Sequence, residues 1–416
     1  MSYTSVALNT RDRAARSARR RLSPAAAFLL LASVTVSFLA GSSAPTPLYP
    51  LYMAQWGLTP LTITVIFGIY ALAVLLALLV AGRLSDHLGR RPVLLTAALA
   101  QAATMVLFGI ATSLTGLLLA RVVQGLTTGA AIGAVGAAMI DLDKTRGTVA
   151  NAVAPPFGTA MGALIAGVLV QYLPFPTHLV YAVFGMVFIL QAIGLAYMTE
   201  SITPRGSVLS SLKPQLRLPR ATREPLLLAL PVLVAVWALA GFYGSLGPML
   251  VRSMLGSNMP LLGGLSLFVL AAFGGLSVLV FQHREPKDMM MFGVASLFVG
   301  VAITVMSLPY SAIALFFLGT AIAGVGFGAG FQGAVRTVVP FASPHERAGV
   351  LSIVFVICYI AMGVPAVVAG WMIAQHGDIV ATAQIFGAVI MGLACAALLG
   401  SVLRAVTKRV TRVAAR

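Results

Sequence analysis

One arginine stands inside a long apolar run. Arg121 lies in "LTGLLLARVVQGLTTGAAIGAVGAAMI" (114–140), with Gln124 and Thr128 on the same helical face. Such a cation can hold an anion, a carbonyl or a proton-carrying group. At a bilayer centre it costs about 2.5–3.5 kcal/mol, which makes it a functional candidate by default. A second concentration of charge is "GRLSDHLGRRPVLL" (82–95), where Arg83, Asp86, Arg90 and Arg91 separate two apolar runs in a chain only 9% charged. The acids are Asp12, Asp86, Asp141, Asp143, Glu200, Glu224, Glu285, Asp288, Glu346 and Asp378, and none falls in the middle of an apolar run. Arg121 must therefore be satisfied by Gln124, hydroxyls, carbonyls, water or a ligand, and an anionic substrate is one such partner. No catalytic acid, nucleophile or metal-ligand set is gathered in the runs, so neither an enzyme nor a cofactor is expected.

The elements that must position these residues follow from composition. Of 416 residues 59% are hydrophobic, against about 45–50% in soluble domains. Apolar stretches long enough to cross a hydrocarbon core recur throughout. Backbone groups in lipid need internal partners, so the stretches should be helices. The alternating pattern of a membrane barrel is absent. Twelve spans are expected, at 24–46, 61–81, 92–111, 114–140, 148–172, 177–198, 226–251, 260–281, 288–307, 310–338, 346–374 and 379–403. The expected fold is an all-α membrane protein of twelve transmembrane helices in two six-helix pseudo-repeats.

Of the 27 Lys and Arg, all but Arg121 and Arg252 fall on one face of this topology. Positive charge marks the cytoplasmic side, which places both termini there in a cytoplasmic (inner) membrane. The basic residues are spread over separate segments, which argues against a nucleic-acid partner despite a formal net charge of +17. "RRRLSPAAAFLLL" (19–31) resembles a twin-arginine signal, but Pro45 after the would-be cleavage site and eleven further spans favour an uncleaved anchor. Cys358 and Cys395 both lie in spans, so no disulfide is expected.

Five regions result: a basic cytoplasmic tail (1–23), a six-helix half (24–198), a cytoplasmic central loop (199–225), a second six-helix half (226–404) and a basic tail (405–416). Sliding the sequence by 201 residues pairs Gly125 with Gly326, Gly129 with Gly330, Arg146 with Arg347 and Gly162 with Gly363. A parallel repeat of this kind is a transporter architecture, with its substrate site between the halves.

"GRLSDHLGRRP" resembles the loop signature of the major facilitator superfamily, G-x-L-[A/S]-D-x-x-G-R-[K/R], with Gly82, Asp86, Gly89 and Arg90 in the required positions. "RVVQGLTTGAA" (121–131) resembles the family's span-4 pattern in Arg121, Gly125 and Gly129. "PPFGTAMGALIAG" (155–167) resembles the G-P-x-x-G-G of its exporters in part, through Gly158 and Gly162. The resemblance covers roughly residues 24–404 and is closest to the drug and small-molecule:proton antiporter branch.

From the residues themselves, Gly82 should let span 2 approach a neighbour, Asp86 should cap a helix start and Gly89 should turn sharply. Arg90 is then free to reach Asp141, with Asp143 as second choice. Glycines four apart, Gly125 with Gly129 and Gly158 with Gly162, suit close helix packing or a hinge. The resemblance implies that the Gly82–Arg90 cluster and Asp141 form a conformational switch, and that Arg121 serves proton coupling or substrate contact. It also implies that spans 1, 4, 7 and 10 line a central cavity, where Arg121, Gln124, Thr128, Trp237, Tyr243 and Gln332 would form the substrate and proton pathway. The family's usual membrane-embedded proton-carrying acid is missing.

In the second half, "FQHREPKDMMMFG" (281–293) keeps Arg284 and Asp288 but not the glycines. His283 and Met289, Met290 and Met291 cannot converge on one ion, and no metal is expected. Tyr49, Tyr52, Trp56, Tyr172, Tyr310 and Trp371 read as interfacial belt aromatics. No phosphate-binding G-x-x-x-x-G-K-[ST] loop is present, so an ion gradient should supply the energy. The expected function is secondary active transport of small organic molecules, as proton-coupled efflux by a monomer in the bilayer. Proton-coupled uptake of an anionic metabolite and a transport-dead ligand sensor are the alternatives.

Overall fold

The structure, a computed structural model, describes residues 22–203, 216–256 and 259–414. Most of the basic tail 1–23, residues 204–215 of the central loop and the last two residues lie outside the described residues. The helices are α1 (Pro24–Ser43), α2 (Tyr49–Trp56), α3 (Pro60–Ala81), α4 (Leu84–Leu88), α5 (Arg90–Gly109), α6 (Leu114–Leu142), α7 (Lys144–Tyr172) and α8 (Pro176–Ala196) in the first half. The second half has α9 (Arg220–Ser245), α10 (Gly247–Leu255), α11 (Pro260–Phe281), α12 (Pro286–Ser307), α13 (Ile313–Val338), α14 (Arg347–His376) and α15 (Ile379–Ala414). Among the described residues twelve helical segments are long and apolar enough to cross a membrane, α1 and α2 counting as one.

Local chemistry sets the boundaries. Ser23 caps α1 by accepting from Ala26 N (3.3 Å), and Pro24 follows at a position that needs no amide donor. Thr59 with Pro60 repeats the device at α3. Asp143 caps α7 through Arg146 N (2.9 Å), so that helix begins at Lys144, ahead of the apolar run that starts at 148. The first span reaches Trp56, because the chain bends through Pro45 and the 3-10 turn Thr46–Leu48 and then resumes as α2. The second half repeats the break: α9 stops at Ser245 and α10 resumes at Gly247 with Pro248. Both short helices end on a left-handed glycine, Gly57 (φ 62°) and Gly256 (φ 63°).

Each half buries its own core. Leu31, Phe38, Ile66, Leu94, Phe108 and Phe188 lie in the first, and Leu233, Val236, Leu297, Phe316 and Val354 in the second. The halves meet where α3 packs along α14 and α7 along α11. Outward faces stay apolar and exposed, as at Leu72, Val106, Leu190 and Val280, which suits hydrocarbon rather than water.

The repeat is real in its packing, but its offset is not 201. A side chain at Gly125 would meet Tyr70 O and Ala73 Cβ of α3, and one at Gly129 would meet Val74 O and Ala77 Cβ. The equivalent close approaches in the second half belong to Gly324 (Leu270 O, Phe273 Cβ) and Gly328 (Gly274 O, Ser277 Oγ) against α11. Gly326, the partner expected from the slide, packs on α12 instead, at Leu297. Glycine recurs at every second position of α13 from 324 to 330, so a glycine match alone cannot choose between registers.

Candidate functional site

Three places hold the residues singled out by their chemistry: a charged rim, a buried cage and an aromatic cluster between the halves.

At the rim α3 ends at Ala81, and the short α4 turns the chain into α5. Gly89 sits at φ 102°, a conformation that side-chain-bearing residues rarely adopt. Arg90, only 8% exposed, donates through Nη1 to Ser85 Oγ (2.6 Å) and Asp86 Oδ1 (2.5 Å). Its Nε donates to Asp141 Oδ2 (3.2 Å) at the end of α6. Asp141 is thus Arg90's partner, and Asp143 caps α7 instead. Gly82 lies under Gly133 of α6, where an added side chain would come 3.3 Å from the Gly82 carbonyl.

The capping role expected of Asp86 falls to Glu200. Its carboxylate, just past α8, accepts from Arg90 N (2.8 Å) and Arg91 N (3.0 Å) at the start of α5. An anion there also meets the positive end of the helix dipole. A Cβ on Gly89 would stand 2.5 Å from Glu200 Oε2, so this glycine supplies room as well as a turn. Arg91 donates to the Ala196 carbonyl at the end of α8. The rim therefore ties α3, α5, α6 and α8 together within the first half. Glu200 was missed because it lies more than a hundred residues from the amides it caps, and no local pattern marks it.

The second half builds its rim with opposite polarity. Arg336, in the last turn of α13, donates to the carbonyls of Gln282 (2.9 Å) and Arg284 (3.2 Å) in the α11–α12 connection. Here the long helix supplies the cation and the connection supplies backbone acceptors.

Arg121 is wholly buried. Its Nη1 donates to Ser42 O (2.9 Å) and Gln124 Oε1 (2.7 Å), and its Nη2 donates to the Tyr49 hydroxyl. The rings of Tyr49, Tyr70 and Phe108 lie 5.2–5.7 Å from the guanidinium carbon. Gln124 is fixed in turn by donating to Gly41 O (2.9 Å). Hydrogen bonds to a charged group contribute about 1.5–3 kcal/mol each. Three of them and the rings offset an insertion cost of similar size without a carboxylate. Tyr49 and Tyr52, expected in the interfacial belt, are instead interior, Tyr52 bonding Tyr181 (2.9 Å). Tyr172, Tyr310 and Trp371 are exposed. Thr128 is buried on α6, its hydroxyl beside the Tyr70 side chain.

Gly158 and Gly162 carry α7 directly over α1. A side chain at Gly158 would strike Val36, and one at Gly162 would strike Ala40 and Ser43. Ser43 Oγ also donates to the Thr159 carbonyl (2.8 Å).

Between the halves, Phe67 and Ala71 of α3 pack with Met362 and Ala366 of α14, and Trp237 and Tyr359 border them. The Trp237 ring contacts Phe331 (5.5 Å between centroids) and Tyr359 (5.2 Å). Gln332 is half-buried beside Phe331 on α13. Tyr243, expected in the same cavity, is buried within the second half and bonds Thr320 (2.8 Å). Phe67, Phe331, Tyr359 and Met362 escaped the sequence reading because aromatics and methionine in apolar spans read as core. Among the described residues no group of three His, Cys, Asp or Glu side chains is placed to hold a metal ion.

The hydrogen bonds found between the halves among the described residues both lie at the end away from the basic loops. Thr46 Oγ1 donates to Gly244 O (2.9 Å) where the two helix breaks face each other, and Leu261 N donates to Gln171 Oε1 (3.1 Å). Residues 41–49 and 241–248 around them are buried. At the opposite end Gly133, Gly136, Gln332 and Arg336 are half-exposed.

Comparison with known proteins agrees with this fold. A family model described as Major Facilitator Superfamily matches residues 31–364. The transporter psiT2 of Psilocybe cyanescens, described as major facilitator-type, is 38% identical over 106 residues, which is 24% of this chain and 20% of that protein. Its counterpart in Psilocybe cubensis is 36% identical over the same length. The match thus spans about a fifth of the length of these relatives. Among solved structures, a D323A mutant of the nucleoside transporter NupG superposes with a TM-score of 0.69 at 14% identity, covering 90% of this chain and 99% of that one. A bacterial homologue of the human lysosomal transporter Spinster, in an inward-facing and unoccupied conformation, superposes at 0.66 and 14% identity, covering 91% and 95%. At that identity the likeness is one of fold.

Proposed function

The chain belongs to the major facilitator superfamily as a multi-pass membrane transporter of small molecules, and on that premise we propose that it works by secondary active efflux, exchanging small organic substrates for protons. The observation that carries this reading is the one-sided fastening of the halves at Thr46–Gly244 and Gln171–Leu261. Two bodies with separate cores, joined at one end, can rock about a site between them. The proposed rocking units are residues 24–198 and 226–404, linked by 199–225. The basic loops place the half-exposed end in the cytoplasm by the charge rule, so both termini are assigned to that side of the cytoplasmic membrane. The proposed site lies between the halves of one chain, and a monomer is the proposed working unit.

Efflux is supported by Gly158 and Gly162, the part of the exporter pattern that this chain retains, which seat α7 on α1. A proton-sensitive switch is assigned to the rim, which stands at one end of the spans and so would gate the exchange without itself carrying the proton across. Among the described residues the carboxylates stand at helix ends and connections, and Asp86 and Asp141 share the one buried guanidinium there. Protonating either acid removes a charge that holds Arg90. The switch would then connect proton uptake to release of α4 and α5 from the end of α6.

Inside-out vesicles with an acid interior test the assignment, with a pH dye reporting the gradient. Exchange of an added substrate for protons discharges the gradient, and Asp141→Asn vesicles discharge it at least tenfold more slowly. Substrate accumulation that is indifferent to the gradient would remove proton exchange. Binding without flux would make the protein a sensor.

A further inference from the structure

The charges near the central cluster restrict what it can hold. Among the described residues no Asp or Glu lies in the middle of a span, so no carboxylate faces a cationic ligand there. Arg121, the natural partner for an anion, is fully buried, with both terminal nitrogens occupied by Ser42, Gln124 and Tyr49 and only its Nε unpaired, out of reach of a ligand between the halves in this arrangement. The half-exposed Arg336 at the end of α13 is bonded to the carbonyls of Gln282 and Arg284, so a charged ligand at the central cluster would give up its hydration without a free opposite charge to compensate it.

What a ligand there would meet is ring surface and unpaired polar groups. Trp237 and Tyr359 are only partly buried and border the Phe67–Met362 contact that joins the halves, and Phe331 closes on Trp237 edge-on. The Trp237 indole nitrogen is buried without an acceptor, although a buried indole N–H ordinarily finds a partner. The Tyr359 hydroxyl and the Gln332 amide also lack partners among the described residues, and both residues are half-buried. Rings offering faces and edges favour a flat aromatic ligand, and the lone N–H requires an acceptor on it.

We propose that the transported compounds are uncharged, planar aromatic molecules bearing a carbonyl or ring-nitrogen acceptor, held between Trp237, Phe331 and Tyr359 with the acceptor on the Trp237 N–H. This deepens the transport reading, yet binding can be measured without flux. The chain has three tryptophans, so Trp56→Phe with Trp371→Phe leaves Trp237 as the sole indole reporter. The purified full chain in lipid nanodiscs is titrated with neutral caffeine, coumarin and 2-quinolone, with anionic benzoate, with cationic N-methylpyridinium and with neutral non-aromatic cyclohexanol.

Saturable quenching by at least one of the three neutral planar probes, and weaker or no quenching by the other three, is the expected result. Trp237→Phe keeps a ring but removes the donor. Followed by calorimetry, it should weaken the binding by about five- to tenfold, the loss of one hydrogen bond. Tighter binding of benzoate or N-methylpyridinium would overturn the inference, and so would silence toward all three planar probes. Silence in a protein that still discharges a proton gradient with another compound removes the ligand class and leaves transport standing. Saturable quenching without flux leaves the site standing and removes transport.

Discussion

Glu200 lies beyond the end of α8, yet its two carboxylate oxygens take the amides of Arg90 and Arg91 at 2.8 and 3.0 Å and start α5. The loop whose charges stand out in the sequence is therefore anchored by an acid that does not. Arg90's side chain serves Asp86 and Asp141 while its own backbone is held by Glu200. Truncating Glu200 to Ala should destabilise the protein by about 0.5–2 kcal/mol, the usual cost of a lost cap. Gly89→Ala should cost at least as much, through its positive φ and its clash with Glu200. Thermal unfolding of the purified variants measures both, and an unchanged midpoint for Glu200→Ala would show the cap to be idle.

Asp141 and Asp143 are two residues apart but differ in role. Asp141→Asn should reduce transport at least tenfold, because Arg90, its side chain only 9% exposed, loses the charge of its partner while keeping a neutral acceptor. Asp86→Asn should also lower transport while leaving membrane insertion intact. Asp143→Asn keeps a competent N-cap, and its exposed pair with Arg146 contributes little. Near-normal flux is expected from that variant, and equal losses in all three would contradict the assignment.

Arg121 should tolerate no substitution that keeps only its charge. Lysine offers a point charge and cannot span Ser42 O, Gln124 Oε1 and Tyr49 together. Arg121→Lys should lower the unfolding midpoint by several degrees, and Tyr49→Phe by less. If instead Arg121→Lys is as stable as wild type but loses flux, the arginine acts on ligand or proton and the cage is secondary.

Glu346 precedes α14 and is outside the spans. The Ser343 hydroxyl and amide donate to its carboxylate and hold its pKa below the usual carboxylate range. A lowered folded-state pKa means that this clasp is fully present above the ordinary carboxylate pKa and is lost as pH falls through the lowered value. Hydrogen exchange at the Ser343 amide, taken relative to the intrinsic rate at each pH, should be unchanged between pH 7 and pH 5. Glu346→Gln should speed it at both, and equal exchange in the two proteins would remove the clasp.

The span pattern was legible because hydropathy and the Lys/Arg asymmetry are carried by every span at once. Arg90–Asp141 was legible too, since few charges exist from which to choose. Contacts that join distant parts of the chain by ordinary residues were not. Glu200 on the α5 amides, Tyr49 on Arg121 and Tyr359 beside Trp237 each depend on how helices far apart in sequence come to lie together. The repeat offset failed for a related reason. Alternate glycines in α13 fit several registers, and only the neighbour each one faces separates Gly324 and Gly328 from Gly326 and Gly330.

The rocking of two halves fastened at one end is tested most directly by fixing that end. With Cys358→Ala and Cys395→Ala as background, Gln171→Cys and Leu261→Cys place thiols on the two halves that the Leu261 N–Gln171 Oε1 bond brings together. A short cleavable bis-maleimide should join them, stop flux in vesicles, and release it again when the linker is cut. Flux that continues at the full rate in fully cross-linked protein would show that this end need not open, and alternating access of the two halves would be contradicted.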